Sequence, residues 1–561
     1  MRFRIQMVLV LGLLALGGIG VRLYGLQVVK GPWYGELALR QHQRAVVTRA
    51  HRGTIHDRNG HVLALSVVRL SLFANPSRIK DPVGTAGALG NILGRPAAEL
   101  EKRLRRKGYF VWLGRKLEPT QVAAIRALKV RGLGFREEIK RIYPNGSLAC
   151  HVLGFSGTDN TGLEGIEARY DVALTGKPGR YRVYRNGRPR GPRLRYPELE
   201  EGRSVAGADV VLTLDLWMQY EVEQALDELV RKHAPRSATA IVLDSATGEV
   251  LALAGRPGFD PNKFSKSPRA NYRCRAVTDT YEVGSTIKPL VAAAAIAEGH
   301  AQPDDEIFCE NGSWRIRGRT LHDHKPFGNL TVSGIIEKSS NIGIAKVASH
   351  LGPEVLYSYL SAFGIGRSTH VGLSGEERGL MQPWSRWTSS TMVSIPMGHE
   401  IALTPMQLAT AFNCLASGGV HVAPRILLRM TGSAGDSSHR FAPMQTARVF
   451  KRELVEKIMD PMLCQVVQRG TGKRAKIEGL AVAGKTGTAQ KIDPETQTYS
   501  HSKHVVSFVG YAPADRRHGE PKITVMVLVD EPTKEVGGGG QVAAPVFRQI
   551  VHRIFASGRL P

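Results

Sequence analysis

Apolar residues run from Ile5 to Val21 in IQMVLVLGLLALGGIGV, interrupted only by Gln6, with Arg2 and Arg4 before them and Arg22 after. Seventeen residues is the short end of a membrane span, roughly 17–25 residues. An uncleaved anchor, a cleaved signal peptide with a weak Ala15-x-Gly17 site and a buried core helix all share this pattern. Basic flanks at the extreme N-terminus argue against the core helix, and the anchor is the reading taken. Arg2 and Arg4 then hold the N-terminus in the cytoplasm and place everything after residue 22 outside.

Beyond the run, residues 23–50 mix polar and apolar positions and predict a helix leaving the membrane. RGTIHDRNGHVLALS (52–66) holds two apolar runs around Asp57-Arg-Asn-Gly60, which predicts a hairpin. Residues 95–140 read as helical and basic, with helical apolar spacing in PTQVAAIRALKV. RIYPNGSLACHVLGFSG (141–157) is rich in turn residues, and 160–176 reads as a loop and a short helix. Residues 177–207 are dense in Gly, Pro and Arg. They predict an extended basic connection or exposed hairpin, with a domain boundary near 207.

After 207 the pattern changes. ADVVLTLDLWMQYEVEQALDELVRKH predicts a strand and then a helix, and ATAIVLDSATGEVLALAG two strands joined at Ala246-Thr-Gly248. KPLVAAAAIAEGH is an Ala-rich helix stopped by Gly299. HVVSFVGYAP and KITVMVLVDE bracket a polar turn and predict an antiparallel hairpin; APVFRQIVHRIF is a closing amphipathic helix. The fold class expected for 208–561 is α/β of the α+β kind: an antiparallel sheet flanked by helices.

Composition narrows the function. A chain of 561 residues, 42% hydrophobic and 22% charged, has room for two to four domains. Cys150, Cys274, Cys309, Cys414 and Cys464 show no Cys-x-x-Cys spacing, which argues against a zinc site or a disulfide framework. The formal charge of +27 and pI of about 10.1 imply either an anionic partner or a generally basic surface. No helix-turn-helix, zinc-finger or RNP-like motif turns that charge into a nucleic-acid reader. With the bulk of the chain outside, the anionic candidates are lipid headgroups, a lipid-linked precursor and the cell wall. GTGKR (470–474) lacks the spacing and terminal hydroxyl of a phosphate loop, and Gly537–Gly540 reads as a flexible loop.

Candidate chemistry centres on Ser-x-x-Lys. The chain has three such patterns: Ser77–Lys80, Ser285–Lys288 and Ser500–Lys503. A serine hydroxyl needs a base within reach and donors where negative charge develops. Ser285 leads into the Ala-rich helix, so Lys288 shares its face, and Gly284 permits the tight entry turn. Lys288 becomes a base if it is buried beside other cations. Ser77 lies between two prolines and Ser500 in a polar loop, so chance explains both. Downstream come Ser339-Ser-Asn341 in EKSSNIG and Lys485-Thr486-Gly487-Thr488 in VAGKTGTAQK.

The ordered set Ser-x-x-Lys, Ser-x-Asn, Lys-Thr-Gly resembles the penicilloyl-serine transferases, the penicillin-binding proteins and serine β-lactamases. NYRCRAVTDTYEVGSTIKP, TPMQLATAFNCLASGG and RGTGKRAKIEGLAVAGKTGTAQK resemble the transpeptidase domain. RGTIHDRNGHVLALS and RIYPNGSLACHVLGFSG…GLEGIEARYD resemble the N-terminal module of class B penicillin-binding proteins, monofunctional peptidoglycan D,D-transpeptidases. With the anchor and RLYGLQVV, the whole is most similar to the septal, division-type penicillin-binding protein 3 subgroup. Val283, where that family usually has Pro, and SIPMGHE (394–400) depart from its common form.

The resemblance implies an organisation: tail 1–4, anchor 5–25, dimerisation or pedestal module 26–207, transpeptidase domain 208–561. It implies Ser285 as nucleophile, Lys288 as its base, and Ser339, in contact with Lys288 and the catalytic-set Lys485, as the proton relay to the departing D-alanine. Asn341 would hold the donor backbone; Lys485, Thr486, Gly487 and Thr488 would bind the terminal carboxylate side. Ser285 and Thr488 N–H groups would form the oxyanion hole. No cofactor or metal is implied. The implied partners are peptidoglycan stem peptides ending in D-Ala-D-Ala, β-lactams, the membrane through the N-terminal helix, and division proteins including a glycosyltransferase, with no nucleic acid. The implied location is the cytoplasmic (inner) membrane, single-pass, with the catalytic domain outside.

Rival readings use the same serine as a D,D-carboxypeptidase or a β-lactam hydrolase or sensor, or make the chain largely a scaffold. Other residues carry less. His399-Glu400 fails the zinc pattern because residue 403 is Leu. His322-Asp-His324 reads as a solvated loop rather than a metal pair. Glu164 and Glu167 read as structural, and Cys274 as a small buried residue.

Overall fold

The computed structural model describes residues 1–48, 50–185, 193–200, 204–316, 318–432, 438–493, 496, 498–516, 519–535 and 537–560. It forms two compact units, Met1–His51 with Thr175–Gly207, and Arg52–Leu174 with Ala208–Pro561.

In the first unit a helix runs Arg2–Tyr24 with no buried residue, continuing through Gly25–Val29. Arg2–Val29 is long and apolar enough to cross a membrane. A further helix, Gly31–His42, gives way to a strand, Gln43–Thr48. That strand corrects the expectation of helix throughout 23–50: QRAVVT pairs antiparallel with Gly179–Arg185, a partner too distant for local periodicity to show. Gly179–Arg185 pairs in turn with Arg193–Glu200, so the basic connection is a hairpin; its turn lies outside the described residues.

The second unit carries strands β1 (Ile55–His56), β2 (Val62–Ala74), β3 (Val111–Leu117), β4 (Leu133–Ile142) and β5 (Asp209–Leu212). Helix α1 (Leu216–His233), β6 (Pro235–Asp244), β7 (Val250–Arg256), α2 (Lys288–Ala297) and α3 (Asn341–Ser349) follow. Then come β8 (Leu427–Thr431), β9 (Ala483–Ile492), β10 (Tyr499–Ala512), β11 (Ile523–Pro532) and α4 (Gly539–Ala556).

β1 and β2 form the expected hairpin, with Asp57 Oδ1 accepting from Asn59 N at 2.9 Å and His61 N at 2.8 Å across the turn. β2 also pairs with β3 and β4, and these two strands correct the helical reading of 95–140. Helices there span Ala97–Leu104 and Pro119–Ala127. β4 was hidden because Glu138 and Arg141, both buried, occupy positions that a strand normally gives to apolar side chains. Their charges are matched: Arg115 bonds Glu138, and Arg141 bonds Glu167 at 2.7 Å. β5 lies parallel to β1 on one side and antiparallel to β8 on the other, so this sheet takes strands from both sides of residue 207.

The second sheet has the order β7-β6-β11-β10-β9, antiparallel throughout. Both of its faces are covered. Ala240, Val242, Val525 and Val527 pack with α1 and α4; the alternate Ile241, Leu243, Met526 and Leu528 pack with α2 and Pro405–Ala416. Helix α2 is buried on every side from Lys288 to Ile296, which explains its run of alanines: small side chains let neighbours approach from all directions. The predicted β6–β7 and β10–β11 hairpins and the closing helix are present. β9 is an edge strand, and its outer side faces the turn that enters α2. Tyr499 and Ser500 already belong to β10, so Ser500 lies in a strand rather than the expected loop.

Candidate active site

Ser285 sits in a 3₁₀ turn, Gly284–Ile287, that runs directly into α2. Gly284 has φ +56°, and a Cβ there would stand 2.8 Å from Thr488 O. The turn that carries Ser285 therefore presses against the backbone of β9 at a point where only glycine fits. Gly398 closes the other side: its carbonyl accepts from Gly284 N at 3.3 Å, and a Cβ on it would strike Gly284 at 2.2 Å. This is the segment SIPMGHE, so its function is to brace the turn, which sequence reasoning did not see. Glu282, just before the turn, bonds His399 Nδ1 at 2.9 Å and accepts from Tyr499 OH at 3.1 Å.

Lys288 and Lys485 are both fully buried. Lys288 Nζ donates to Ser339 O at 2.6 Å and Asn341 Oδ1 at 2.7 Å, and lies 3.3 Å from Ser339 Oγ. Lys485 Nζ, on β9, donates to the same Ser339 Oγ at 3.0 Å and to Thr486 O at 3.2 Å. Burial lowers the Lys288 pKa to about 7, opposed in part by the Asp323 carboxylate. Burial first, and then the Lys288 cation, push Lys485 well below the ordinary lysine range. Two ammonium groups sharing one hydroxyl cannot both stay charged without cost, so a neutral amine is built into the site.

Lys288 opens α2 three residues after Ser285. Its hydrogen bonds nevertheless go to Ser339 and Asn341, and Ser285 Oγ makes none to a described residue. Ser339 ends the helix Val332–Lys338 with φ +63°, an uncommon backbone for serine that costs about 1–2 kcal/mol. That turn points its Oγ between the two lysines. Ser340 then caps α3, accepting from Gly343 N at 2.9 Å.

Asp323 is the missed organiser of this loop. One oxygen accepts from Ser340 Oγ at 2.6 Å, and the other from Asn341 N and from Ile342 N at 3.2 Å. His322 and His324 are exposed, as a solvated stretch would be, while Asp323 between them ties it to the Ser-x-Asn motif; His324 lines the site cavity. No local signal marks such a partner, because 16 residues separate Asp323 from Ser339.

Thr486 Oγ1 lies 2.8 Å from Thr471 Oγ1, and Thr488 Oγ1 accepts from Gly539 N at 3.2 Å. Gly539 and Gly540 pack on backbone, with a Cβ meeting Ser507 O at 2.3 Å and Thr471 O at 2.3 Å respectively. Gly538–Gly540 is therefore a wall of the site and the start of α4, which corrects its reading as a flexible loop. Ser285, Ser339, Asn341, Thr486 and Thr488 line one cavity of about 640 Å³, with Lys288 and Lys485 reaching Ser339 from inside. Ser77 does not line this cavity: it is exposed, and its Oγ donates to Asn75 Oδ1 at 2.7 Å in a short turn.

A serine at a helix entry, two desolvated lysines and a bridging hydroxyl beside an open sheet edge define a serine acyltransferase class of site. Comparison with known proteins narrows that class. The family model for the penicillin binding protein transpeptidase domain matches residues 238–552, and that for the penicillin-binding protein dimerisation domain matches 47–212. The chain belongs to the penicillin-binding proteins. It is 34% identical over 98% of its length, and 91% of the relative's, to the probable peptidoglycan D,D-transpeptidase PenA of Neisseria meningitidis. It is 32% identical to the peptidoglycan D,D-transpeptidase FtsI of Escherichia coli, over 96% of this chain and 89% of that one. The crystal structure of penicillin binding protein 3 from Mycobacterium tuberculosis, complexed with aztreonam, superposes with a TM-score of 0.71 at 29% identity. That match covers 92% of this chain and 98% of the other.

Proposed function

We propose that this chain is a membrane-anchored peptidoglycan D,D-transpeptidase of cell division, working through an acyl-enzyme on Ser285. The observation that carries the reading is the convergence of two fully buried lysines on Ser339 Oγ, in the cavity that holds Ser285.

The donor stem peptide lies along the outer edge of β9, which pairs with no further strand among the described residues, and adds to the sheet as an extra strand. Asn341 holds its backbone; Thr486, Gly487 and Thr488, with Lys485 behind them, take the terminal carboxylate. Lys288 in its neutral form accepts the proton of Ser285 as Oγ attacks the penultimate carbonyl. The developing oxyanion is met by the N–H groups of Ser285 and Thr488. Ser339 Oγ, already bonded to both lysines, passes the proton to the departing D-alanine nitrogen. An amine from a neighbouring stem then takes the acyl group. A β-lactam enters the same path and stays on Ser285.

The domain reading of a 26–207 pedestal and a 208–561 transpeptidase part goes with this proposal. So does a topology with the N-terminus inside, supported by Arg2 and Arg4 before the apolar helix. A glycosyltransferase and other division proteins are the partners this reading calls for. The test is turnover: full-length protein in detergent, given a lipid-linked pentapeptide strand, releases D-alanine in step with cross-linked dimer. Release of D-alanine without dimer would make it a carboxypeptidase instead.

A further inference from the structure

The site cavity extends past the residues that the proposed reaction uses. Lys473 and Arg474 line its far side, in a 3₁₀ turn, Lys473–Ala475. Both are exposed, and neither pairs with a carboxylate among the described residues; Arg474 reaches only Gln541 O, at 3.5 Å. The turn itself is fixed. Ala475 is fully buried and its N–H donates to Gly472 O at 2.8 Å, while Gly472 N donates to Val466 O at 3.0 Å. Two residues earlier, Thr471 is bonded to Thr486. The described lining of this cavity contains no Asp or Glu.

We propose that Lys473 and Arg474 form an acceptor subsite that recognises a second carboxylate on the incoming amine. The proposal rests on the acyl-transfer reading of the site. On that reading Thr486 binds the carboxylate of the departing D-alanine, so Thr471 and the two cations after it flank the leaving-group side. The acceptor must approach the same carbonyl carbon from that side, because the amine that attacks replaces the amine that left. Its neutral nitrogen forms the new C–N bond, the C–Oγ ester bond to Ser285 breaks, and the amine proton passes to Oγ. A carboxylate next to the attacking amine takes the place D-alanine's carboxylate held. A further carboxylate on the same acceptor then meets a rim with two unpaired cations and no competing acid. The substrate class selected is an amine-bearing acceptor with a free carboxylate besides the one next to its amine, over an acceptor whose second carboxyl is closed in an amide bond.

The test uses full-length protein in detergent and an N-acyl-D-alanyl thioester donor. Acceptors are D-alanine, with one carboxylate, and diaminopimelate, with two. The readout is aminolysis relative to hydrolysis of the acyl-enzyme for each acceptor. Wild type should favour diaminopimelate, and Lys473→Gln/Arg474→Gln should lose that preference by about tenfold. A charge-keeping Lys473→Arg variant should retain it. An unchanged preference in the double Gln variant overturns the proposal. Slower acylation by the donor with an unchanged acceptor preference also overturns it, by assigning the pair to the donor. If wild type forms no acyl-enzyme from the donor, the underlying reading fails first, and that outcome is seen before any acceptor is added.

Discussion

Two clusters of buried charge in this protein look alike in composition and differ in balance. Around Glu167, Arg52 bonds one carboxylate oxygen at 2.5 Å and Arg141 the other at 2.7 Å, and Asp171 takes Arg52 Nη1 at 2.6 Å. Two cations face two acids, and Tyr143 OH adds a bond at 3.3 Å. Around Ser339, two lysines face one hydroxyl, and the acid that tempers Lys288, Asp323, spends its oxygens on Ser340, Asn341 and Ile342. A matched cluster has little free energy to give to chemistry; it holds the segment before β1, β4 and the helix Gly165–Arg169 together. A mismatched one keeps an amine neutral near physiological pH, which is what a base for serine requires. Glu167 ties buried arginines together, and on the proposed mechanism the lysines carry the reaction.

Breaking the mismatch should have the largest effect. Lys288→Met removes the base and should slow acylation by about 10²–10⁴-fold. The same change should raise stability or leave it level, because a buried amine is replaced by an apolar side chain of similar length. Calorimetry adds a sharper reading. A lysine whose pKa falls from 10.5 to about 7 on folding binds more protons unfolded than folded between those values. Wild-type stability should therefore rise with pH across that window, and Lys288→Met should flatten the rise.

Breaking the matched cluster should do the reverse. Glu167→Ala leaves two buried arginines with a shared partner gone, at about 3–5 kcal/mol. Denaturant melts should show the loss, while acylation per folded molecule stays close to wild type. A smaller effect sharpens the first cluster's role. Acylation by a penicillin should climb with pH up to about 7 and level off above it, as Lys288 loses its proton. A flat profile through that range would deny the lysine its part.

How much of this was legible in sequence follows the same physics. The β6–β7 and β10–β11 hairpins and α4 follow apolar periodicity, because apolar side chains cover both faces of their sheet. β4 did not, because its buried positions include Glu138 and Arg141, balanced by partners on other elements. Ser285, Lys288, Ser339 and Lys485 stood out because short motifs encode them. Asp323, Thr471, Gly398 and Gly539 did not, since each acts through backbone or hydroxyl contacts to residues elsewhere in the chain.

The central claim is that Ser285, and not another serine beside a lysine, takes the acyl group. Full-length protein in detergent is incubated with a fluorescent penicillin beside Ser285→Ala and Ser77→Ala, and intact mass reports the adduct. The account predicts one long-lived adduct in wild type and Ser77→Ala and none in Ser285→Ala. An adduct of equal yield in folded Ser285→Ala would contradict it.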